Sequence, residues 1–380
     1  MKINKSEATF SSIVGIGAKL KKQSEEEGLE YLFLNRGVNA VCTIDLTQVI
    51  ASIDFNSTRI QVYPPNQGLP ELRNAIKEHY FLGQSSAENI SIVAGGMSGL
   101  DLTVQCLRLN TLYFARYYWG SYAKLAKIRG VDTETYDDLA QLVKLAQEQK
   151  IDENTAVVIC DPNNPTGAKL DDNFLLKSIR QLDEHGVTVI FDSPYRYVFN
   201  SDKDDLFSQL ARLEHVIITE SFSKSMGLSG QRIGFIHSQN KEFNAELNIR
   251  ILYNMNGVNA FAQELVFQLL STAVGKKAVQ EFRQRTQTDI RKNLIFLMEN
   301  GLLADELYEG KEPVGIFAVV NKTEEELLKY RIGSVSMDYF CKEKTVQTHA
   351  LSRICLSVPH QQFLTFFRKL PAPHMADNSY

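Results

Sequence analysis

The stretch that decides the fold is residues 215–237, HVIITESFSKSMGLSGQRIGFIH, in which two apolar segments enclose a loop of small residues. Both segments carry the β-branched and aromatic residues that are typical of strands, and the serines and glycines between them favour a turn. Lys224 lies in that loop, although lysine is ordinarily a solvated surface residue. A lysine placed between two apolar segments therefore raises the question of whether it is reactive or an ordinary solvated lysine of a loop.

Strand-like segments of this kind recur from about residue 90, where they alternate with amphipathic stretches of helix length. This alternation predicts parallel strands that are joined by crossover helices. The predicted strands are ISIVAG, TLYFAR, TAVVIC, VTVIF, HVIITES and RIGFIH. We therefore expect an α/β fold whose large domain is a doubly wound, mostly parallel sheet.

A smaller α+β domain is expected from the two ends of the chain. After a long helical region at about 241–300, the strand patterns VGIFAVV, VSMDYF and RICLSVP appear, with helical patterns between and after them. We assign residues 40–271 to the large domain, and residues 1–39 and 272–380 to the small domain. Because no repeat and no low-complexity linker separates the two, we expect them to pack closely.

The composition excludes several classes of function. The chain has 380 residues and a net charge of −4, so no basic surface is available for nucleic acid or an anionic membrane. Its five cysteines form no C-x-x-C pair, which argues against a disulfide framework and a zinc site. The mean hydropathy of −0.20 is that of a globular protein. We expect reduced thiols, a cytoplasmic location and no bound metal.

Residues suited to chemistry follow the predicted strands, at the positions where doubly wound sheets bind their ligands. They comprise a glycine-rich helix start, an aromatic segment, an amide, a carboxylate with a phenol, and a lysine with an arginine. In chain order they are GGMS (95–98), YYW (117–119), DPNNPTG (161–167), DSPY (192–195) and SFSKSMGLSGQR (221–232). Since the carboxyl ends of parallel strands meet at one edge, we expect these segments to form one site.

These segments resemble the fold-type I, pyridoxal-phosphate-dependent aminotransferases of class I/II. NNPTG and S-F-S-K-x-x-G-x-x-G-x-R-x-G-F are the most specific matches, and the matching residues run in order from Tyr63 to Arg353. The resemblance implies pyridoxal 5'-phosphate as the cofactor, joined to Lys224 as a Schiff base. Only an unprotonated amine reacts in this way, so a desolvated setting beside cations is expected to lower the pKa of this lysine.

The resemblance also implies roles around the cofactor ring. Asp192 would pair with the pyridine nitrogen, Asn164 and Tyr195 would hydrogen-bond the phenolic oxygen, and Trp119 would stack on the ring. A helix cap or turn is the alternative role for Asp192, and core packing is the alternative for Trp119, because Tyr117 stands where this segment usually begins with proline. The expected catalytic residues are Lys224, Asp192 and Tyr195.

The phosphate is expected to lie between the start of a helix and the lysine loop. Free N–H groups and the helix dipole hold anions at such a helix start. The residues that the resemblance places at the phosphate are Gly96, Met97, Ser98, Ser221, Ser223, Arg232 and, from the neighbouring subunit, Tyr63.

The substrate side of the site departs from the family pattern. Arg353 lies in an otherwise apolar strand, and the resemblance implies that it clamps the substrate α-carboxylate; an internal salt bridge is the alternative. Gly37 and Val38 would line the substrate mouth with Asn164, but their segment LNRGVNAV lacks the usual G-x-P. Asp161 replaces the common first Asn of N-P-x-N-P-T-G. No distal basic residue can be placed in the pocket from the sequence, so the amino acid stays open.

The function that we expect is transfer of an amino group between an L-amino acid and a 2-oxo acid in a ping-pong cycle, by a homodimer with shared active sites. A lyase or specialised biosynthetic enzyme, catalysing elimination, cyclisation or oxidation, is the alternative on the same fold. A non-catalytic sensor that regulates transcription is less favoured. The segment before residue 40 has neither the length nor the basic character of a DNA-binding helix-turn-helix.

Overall fold

The computed structural model describes residues 1–3, 5–199 and 204–371, and strands in this part of the chain form three sheets. In chain order the strands are β1 (Leu32–Phe33), β2 (Ile90–Val93), β3 (Thr111–Ala115), β4 (Asp132–Tyr136), β5 (Thr155–Cys160), β6 (Thr188–Asp192), β7 (Val216–Ser221), β8 (Gly234–Ser238), β9 (Phe317–Val320), β10 (Ile332–Gly333), β11 (Val335–Ser336) and β12 (Ser352–Cys355).

The largest of these sheets has seven strands in the order β2-β8-β7-β6-β5-β3-β4 within the described residues. Strands β3 to β7 pair in parallel, whereas β8 is antiparallel to both β7 and β2. The predicted α/β fold with a mostly parallel sheet is confirmed. RIGFIH does not follow the parallel direction, because the short connection at 222–233 returns the chain without a crossover helix.

Strand β4 was not among the predicted strands. Its sequence DTETY is polar, and its residues alternate between exposed and partly buried positions before the buried Tyr136. It lies at the edge of the sheet and pairs only with β3 in the described structure. Edge strands carry charged residues that prevent further pairing, so the apolar pattern of a buried strand is absent there.

Helices connect the strands and pack against the large sheet and the two smaller sheets. In chain order the α-helices are α1 (Ser12–Glu27), α2 (Thr47–Ala51), α3 (Thr58–Gln61), α4 (Pro70–Phe81), α5 (Gly96–Cys106), α6 (Ser121–Arg129), α7 (Leu139–Gln147), α8 (Asp172–Glu184), α9 (Arg196–Phe199), α10 (Leu206–Leu210), α11 (Phe222–Ser225), α12 (Lys241–Met255), α13 (Ala260–Ser271), α14 (Ala273–Glu299), α15 (Glu324–Lys329), α16 (Val346–Ala350) and α17 (His360–Phe367). The helical region predicted at 241–300 is α12, α13 and α14.

Helix α8 illustrates how the sequence sets these elements. Asp171 caps its first turn by accepting a hydrogen bond of 2.9 Å from the backbone N–H of Phe174. Leu175, Ile179 and Leu182 recur at helical spacing and are fully buried in the main core. This amphipathic pattern fixes the helix against the sheet.

A second core lies under the smaller sheets, which have the orders β11-β12-β9 and β1-β10. Leu32 and Leu34 are buried there with side chains of α14, β9, β12 and α17. The start of the chain thus packs with its C-terminal third. On this basis we propose that residues 1–39 and 272–380 form the small domain and that residues 40–271 form the large domain. Residues 372–380 lie outside the described residues. In the described ranges, no helix has both the length and the apolar character needed to cross a membrane.

Candidate active site

A cavity of about 570 Å³ lies at the carboxyl ends of the parallel strands. Cys160, Asp192 and Thr219 lie side by side there through the register of β5, β6 and β7. Because β8 is antiparallel, it begins at the same edge, where Gly234 pairs with Ser221. A side chain at Gly234 would place its Cβ 2.4 Å from the backbone oxygen of Glu220, so only glycine fits this contact.

Most of the predicted site residues line this cavity. They are Gly37, Val38, Gly96, Met97, Trp119, Asn164, Asp192, Tyr195, Ser221, Ser223, Lys224, Arg232 and Arg353. Ser98 lies in the first turn of α5 but is not among the residues that line the cavity. Tyr63 is 81% exposed and does not line the cavity either. Another cavity, of about 470 Å³, is lined by residues such as Thr188 and Arg250 and contains none of the predicted residues.

Lys224 lies in α11, directly after β7, and its Nζ donates a hydrogen bond to the backbone oxygen of Gly37. Burial, together with the positive charges of Arg232, Arg36 and Arg353, lowers the pKa of this lysine to about 8. An appreciable fraction of the amine is therefore neutral near neutral pH, which is what a nucleophile or base requires.

Asp192 ends β6 and is 4% exposed. Its Oδ2 accepts a hydrogen bond of 2.5 Å from the phenol of Tyr122, and no described cation forms an ion pair with it. Burial raises the pKa of Asp192 to about 6, against the opposing effect of this hydrogen bond. The side chain does not cap a helix or turn. It is instead a buried carboxylate that faces the cavity without a counter-charge.

Another part of the cavity wall is built from hydrogen-bond donors. The first turn of α5 begins at Gly96, where the N–H groups have no partner within the helix. Ser221 and Ser223 lie beside it, with the hydroxyl of Ser221 donating a 2.9 Å hydrogen bond to that of Ser223. Gly95 has φ 83°, and a Cβ there would come within 2.7 Å of Nη2 of Arg232. Backbone donors, hydroxyls and a guanidinium thus converge on one place that suits an anion.

Arg353 lies on β12 and is 2% exposed. Its guanidinium donates to Oδ1 of Asn164 at 3.1 Å and to the backbone oxygen of Asn35 at 2.5 Å, and it lies over the rings of Phe317 and Phe340. Nε has no partner, and no carboxylate in the described residues pairs with the side chain. The internal salt bridge considered from the sequence is therefore not found, and the buried cation is left to bind an anion.

Asn164 connects the substrate side with the phenol side of the site. While its Oδ1 accepts from Arg353, its Nδ2 donates a 3.2 Å hydrogen bond to the hydroxyl of Tyr195. Burial raises the pKa of Tyr195 well above its ordinary value, so the phenol keeps its proton. Trp119 lines the cavity and also packs edge-on against Tyr122, with ring centroids 5.6 Å apart, so stacking and core packing are compatible there.

The structure brings in two residues to which the sequence analysis gave no role. Tyr122 follows Trp119 by three positions, just beyond the quoted segment YYW (117–119), so the aromatic pattern of that segment continues to it. Arg36 precedes Gly37 and lines the cavity with an exposed side chain. Its segment departs from the family pattern, so no motif could have identified it.

Asp161, the departure at the start of DPNNPTG, does not face the cavity. It is 1% exposed, accepts a 2.8 Å hydrogen bond from the backbone N–H of Leu170, and pairs with Arg196 at 3.3 Å. Arg196 is buried and also contacts Asp172 and Asp204. This departure therefore changes buried contacts near the site, and Asp161 is not among the residues that line the cavity.

Comparison with known proteins identifies the family. Residues 34–362 match the family described as Aminotransferase class I and II. The chain belongs to this family. The aminotransferase is 29% identical over 275 residues to an aspartate aminotransferase of Pyrococcus horikoshii, covering 68% of this chain and 67% of that protein. It is 26% identical over 275 residues to a histidinol-phosphate aminotransferase of Staphylococcus haemolyticus, covering 67% and 74%.

The fold of the aminotransferase is that of solved members. An aspartate aminotransferase from Thermus thermophilus with maleate superposes with a TM-score of 0.80 at 19% identity, covering 98% of this chain and all of that chain. An aminotransferase from Mycobacterium tuberculosis gives the same TM-score at 14% identity and 97% coverage of both chains. The expected fold type I is thereby confirmed.

Proposed function

We propose that this aminotransferase binds pyridoxal 5'-phosphate and moves an amino group between an L-amino acid and a 2-oxo acid in a ping-pong cycle. One observation carries the proposal. Lys224, whose pKa is lowered, shares a cavity with Asp192 and Arg353, a buried carboxylate and a buried guanidinium that have no ion-pair partner among the described residues. These are the groups that amino-acid chemistry on this cofactor requires.

The residues present fit this cofactor at both of its ends. Asp192 is suited to hold a protonated pyridine nitrogen, because its described surroundings supply one phenol and no cation. Arg232, the hydroxyls of Ser221 and Ser223, and the first turn of α5 line the same cavity and are suited to hold the phosphate. Trp119 and Asn164 also lie on the cavity wall.

Bound pyridoxal phosphate supplies an aldehyde that condenses with amines and a ring that accepts the electron pair released at the substrate Cα. Lys224 removes the Cα proton as general base and later returns a proton as general acid, since its lowered pKa allows both forms near neutral pH. Asp192 keeps negative charge beside the ring nitrogen. Arg353 binds the α-carboxylate and so orients the Cα–H bond.

We also propose that the enzyme is a cytoplasmic homodimer with shared active sites. Tyr63 and its neighbour Val62 are 81% and 57% exposed, so this segment is available to a second subunit, where Tyr63 would reach the phosphate. The five cysteines are all free, which fits a reducing compartment.

An amino-acid panel tests the reaction class. A transaminase yields one equivalent of 2-oxo acid per site without ammonia, and it turns over again only when a second 2-oxo acid is added. A lyase releases ammonia in every cycle without an acceptor, and a sensor releases neither product. Steady-state rates at several acceptor concentrations should give parallel double-reciprocal lines; intersecting lines would exclude the ping-pong cycle.

A further inference from the structure

Arg36 lies between two residues whose backbone oxygens contact the buried cations of the site. The oxygen of Asn35 accepts a hydrogen bond from Arg353, and the oxygen of Gly37 accepts one from Lys224. The backbone at Arg36 is therefore held against both groups, and Arg36 is one of the exposed residues that line the cavity. A substrate bound between Arg353 and Lys224 would lie next to this guanidinium.

The guanidinium of Arg36 has no hydrogen bond or ion pair in the described part of the chain, whereas Lys224, Arg232 and Arg353 each donate at least one hydrogen bond. The cations on the cavity wall are Lys224, Arg36, Arg232 and Arg353, and among the described wall residues Asp192 is the one acidic side chain. The proposed cofactor phosphate accounts for Arg232, and the α-carboxylate accounts for Arg353. Arg36 is the cation that is left without an anion.

We propose that Arg36 binds a second anionic group of the substrate, so that the preferred substrates are amino acids with a carboxylate or a phosphate on the side chain. The inference rests on the proposed function, because it assumes that Arg353 holds the α-carboxylate. Arg36 is then a specificity-determining residue, in a segment that departs from the family pattern.

A solvated surface arginine is the ordinary alternative for an exposed guanidinium. Two observations favour binding. The backbone at Arg36 is held by hydrogen bonds to the residues on either side of it, and its charge is among those that lower the pKa of Lys224, which places it near the reacting amine. A second substrate anion would offset this surplus of positive charge. Since the side chain is exposed, water weakens the pair, and we expect an effect of about tenfold.

The test compares ligands that differ only in the second anion. Calorimetry on the cofactor-loaded enzyme gives the dissociation constants of succinate, 3-phosphonopropionate and butyrate, and the same measurements are made on Arg36→Met, Arg36→Lys and Arg180→Met. Arg180 is an exposed arginine of α8 outside the cavity wall, so its replacement controls for the loss of one positive charge. Rates with aspartate and asparagine, and with glutamate and glutamine, are measured in parallel.

We expect Arg36→Met to raise the dissociation constant of the more tightly bound dianion by about tenfold and to change that of butyrate by no more than about twofold. Arg36→Lys should keep part of the preference for the dianion over butyrate, and Arg180→Met should keep all of it. Whether succinate or 3-phosphonopropionate binds more tightly distinguishes carboxylate from phosphate. Equal losses for butyrate and the dianions, or no loss in Arg36→Met, would overturn the inference while transamination persists. If no amino acid is transaminated but Arg36→Met still binds the dianion more weakly without a change for butyrate, the anion site is supported and the proposed reaction is wrong.

Discussion

The phenol of Tyr122 and the carboxylate of Asp192 form a 2.5 Å hydrogen bond inside the sheet edge, and this is the one side-chain hydrogen bond that the described structure gives to Asp192. A phenol stabilises the ionised carboxylate without neutralising it, since it donates a hydrogen bond and keeps its proton. Asp192 therefore presents its charge to the cavity.

Tyr122→Phe should shift the acidic limb of the pH profile of kcat/KM to higher pH by about one unit, because removal of a donor from an ionised group raises its pKa. The rate at low pH falls accordingly. Tyr136→Phe is the matched control, since that buried phenol donates to the backbone oxygen of Val158 instead. Overlapping profiles for Tyr122→Phe and the native enzyme would show that the hydrogen bond does not tune Asp192.

Lys224→Ala should abolish turnover and the covalent attachment of the cofactor after borohydride reduction, which mass spectrometry of the intact chain detects. The fold should remain, because the lysine is present for chemistry rather than packing. Lys169→Ala, which removes a partly buried lysine paired with Asp172, should retain the attachment. A reducible link that survives in Lys224→Ala would assign the attachment to another amine.

The rate at which the cofactor-free protein reacts with pyridoxal phosphate should depend on pH, because Lys224 reacts only as the neutral amine. The neutral amine reacts, and burial with nearby cations lowers its pKa from 10.5 to about 8. The rate should therefore rise as the pH approaches 8 and level off above it, as followed by stopped-flow absorbance. A rate that continues to rise to the range of an ordinary lysine would contradict the lowered pKa.

Arg353→Lys should weaken transition-state binding of α-amino acids by about 2–4 kcal/mol, because lysine does not reproduce the planar two-point contact with a carboxylate. The comparison is kcat/KM for an accepted amino acid and for its decarboxylated amine. The amine should lose little, and cofactor binding should be nearly unchanged, because the phosphate is assigned to Arg232 and the first turn of α5 rather than to Arg353. Equal losses for both substrates would make Arg353 a structural residue.

Subunit complementation tests the proposed role of Tyr63. Tyr63→Ala should lower activity by about tenfold through loss of one hydrogen bond to a charged group. Coexpression with Lys224→Ala should restore activity in mixed dimers, because the subunit that keeps Lys224 receives Tyr63 from its partner. Mixed dimers that are no more active than Tyr63→Ala dimers would place Tyr63 outside the neighbouring site.

The sequence alone predicted the parts of the fold that depend on buried periodic patterns. TAVVIC and VTVIF became β5 and β6 because both faces of a central parallel strand are covered, which leaves a continuous apolar run. The polar β4 gave no such run, since edge position removes the need for it. The direction of β8 depends on the short return of the chain at 222–233, which hydropathy does not encode.

The site residues also divide into those that the sequence could predict and those that it could not. Lys224, Asp192 and Arg353 could be named because each is a charged residue in an apolar setting, where burial without a partner is costly. The charge of Arg36 carries no such signal, since an exposed arginine in a loop is ordinary. Its position became apparent only when Asn35 and Gly37 were found against Arg353 and Lys224.

The two sides of the cavity come from different parts of the chain. In the described structure, the wall residues between Gly96 and Arg232 belong to the seven-stranded sheet and to the segments that follow its strands, whereas residues 36–38 and Arg353 reach the cavity from outside that sheet. Because the backbone oxygens of Asn35 and Gly37 contact Arg353 and Lys224, a change of backbone path in this segment would reach the proposed catalytic groups, whereas a change of the Arg36 side chain would leave those contacts in place. Under the proposed function, substrate preference could then be exchanged at a single side chain while the reacting groups keep their arrangement.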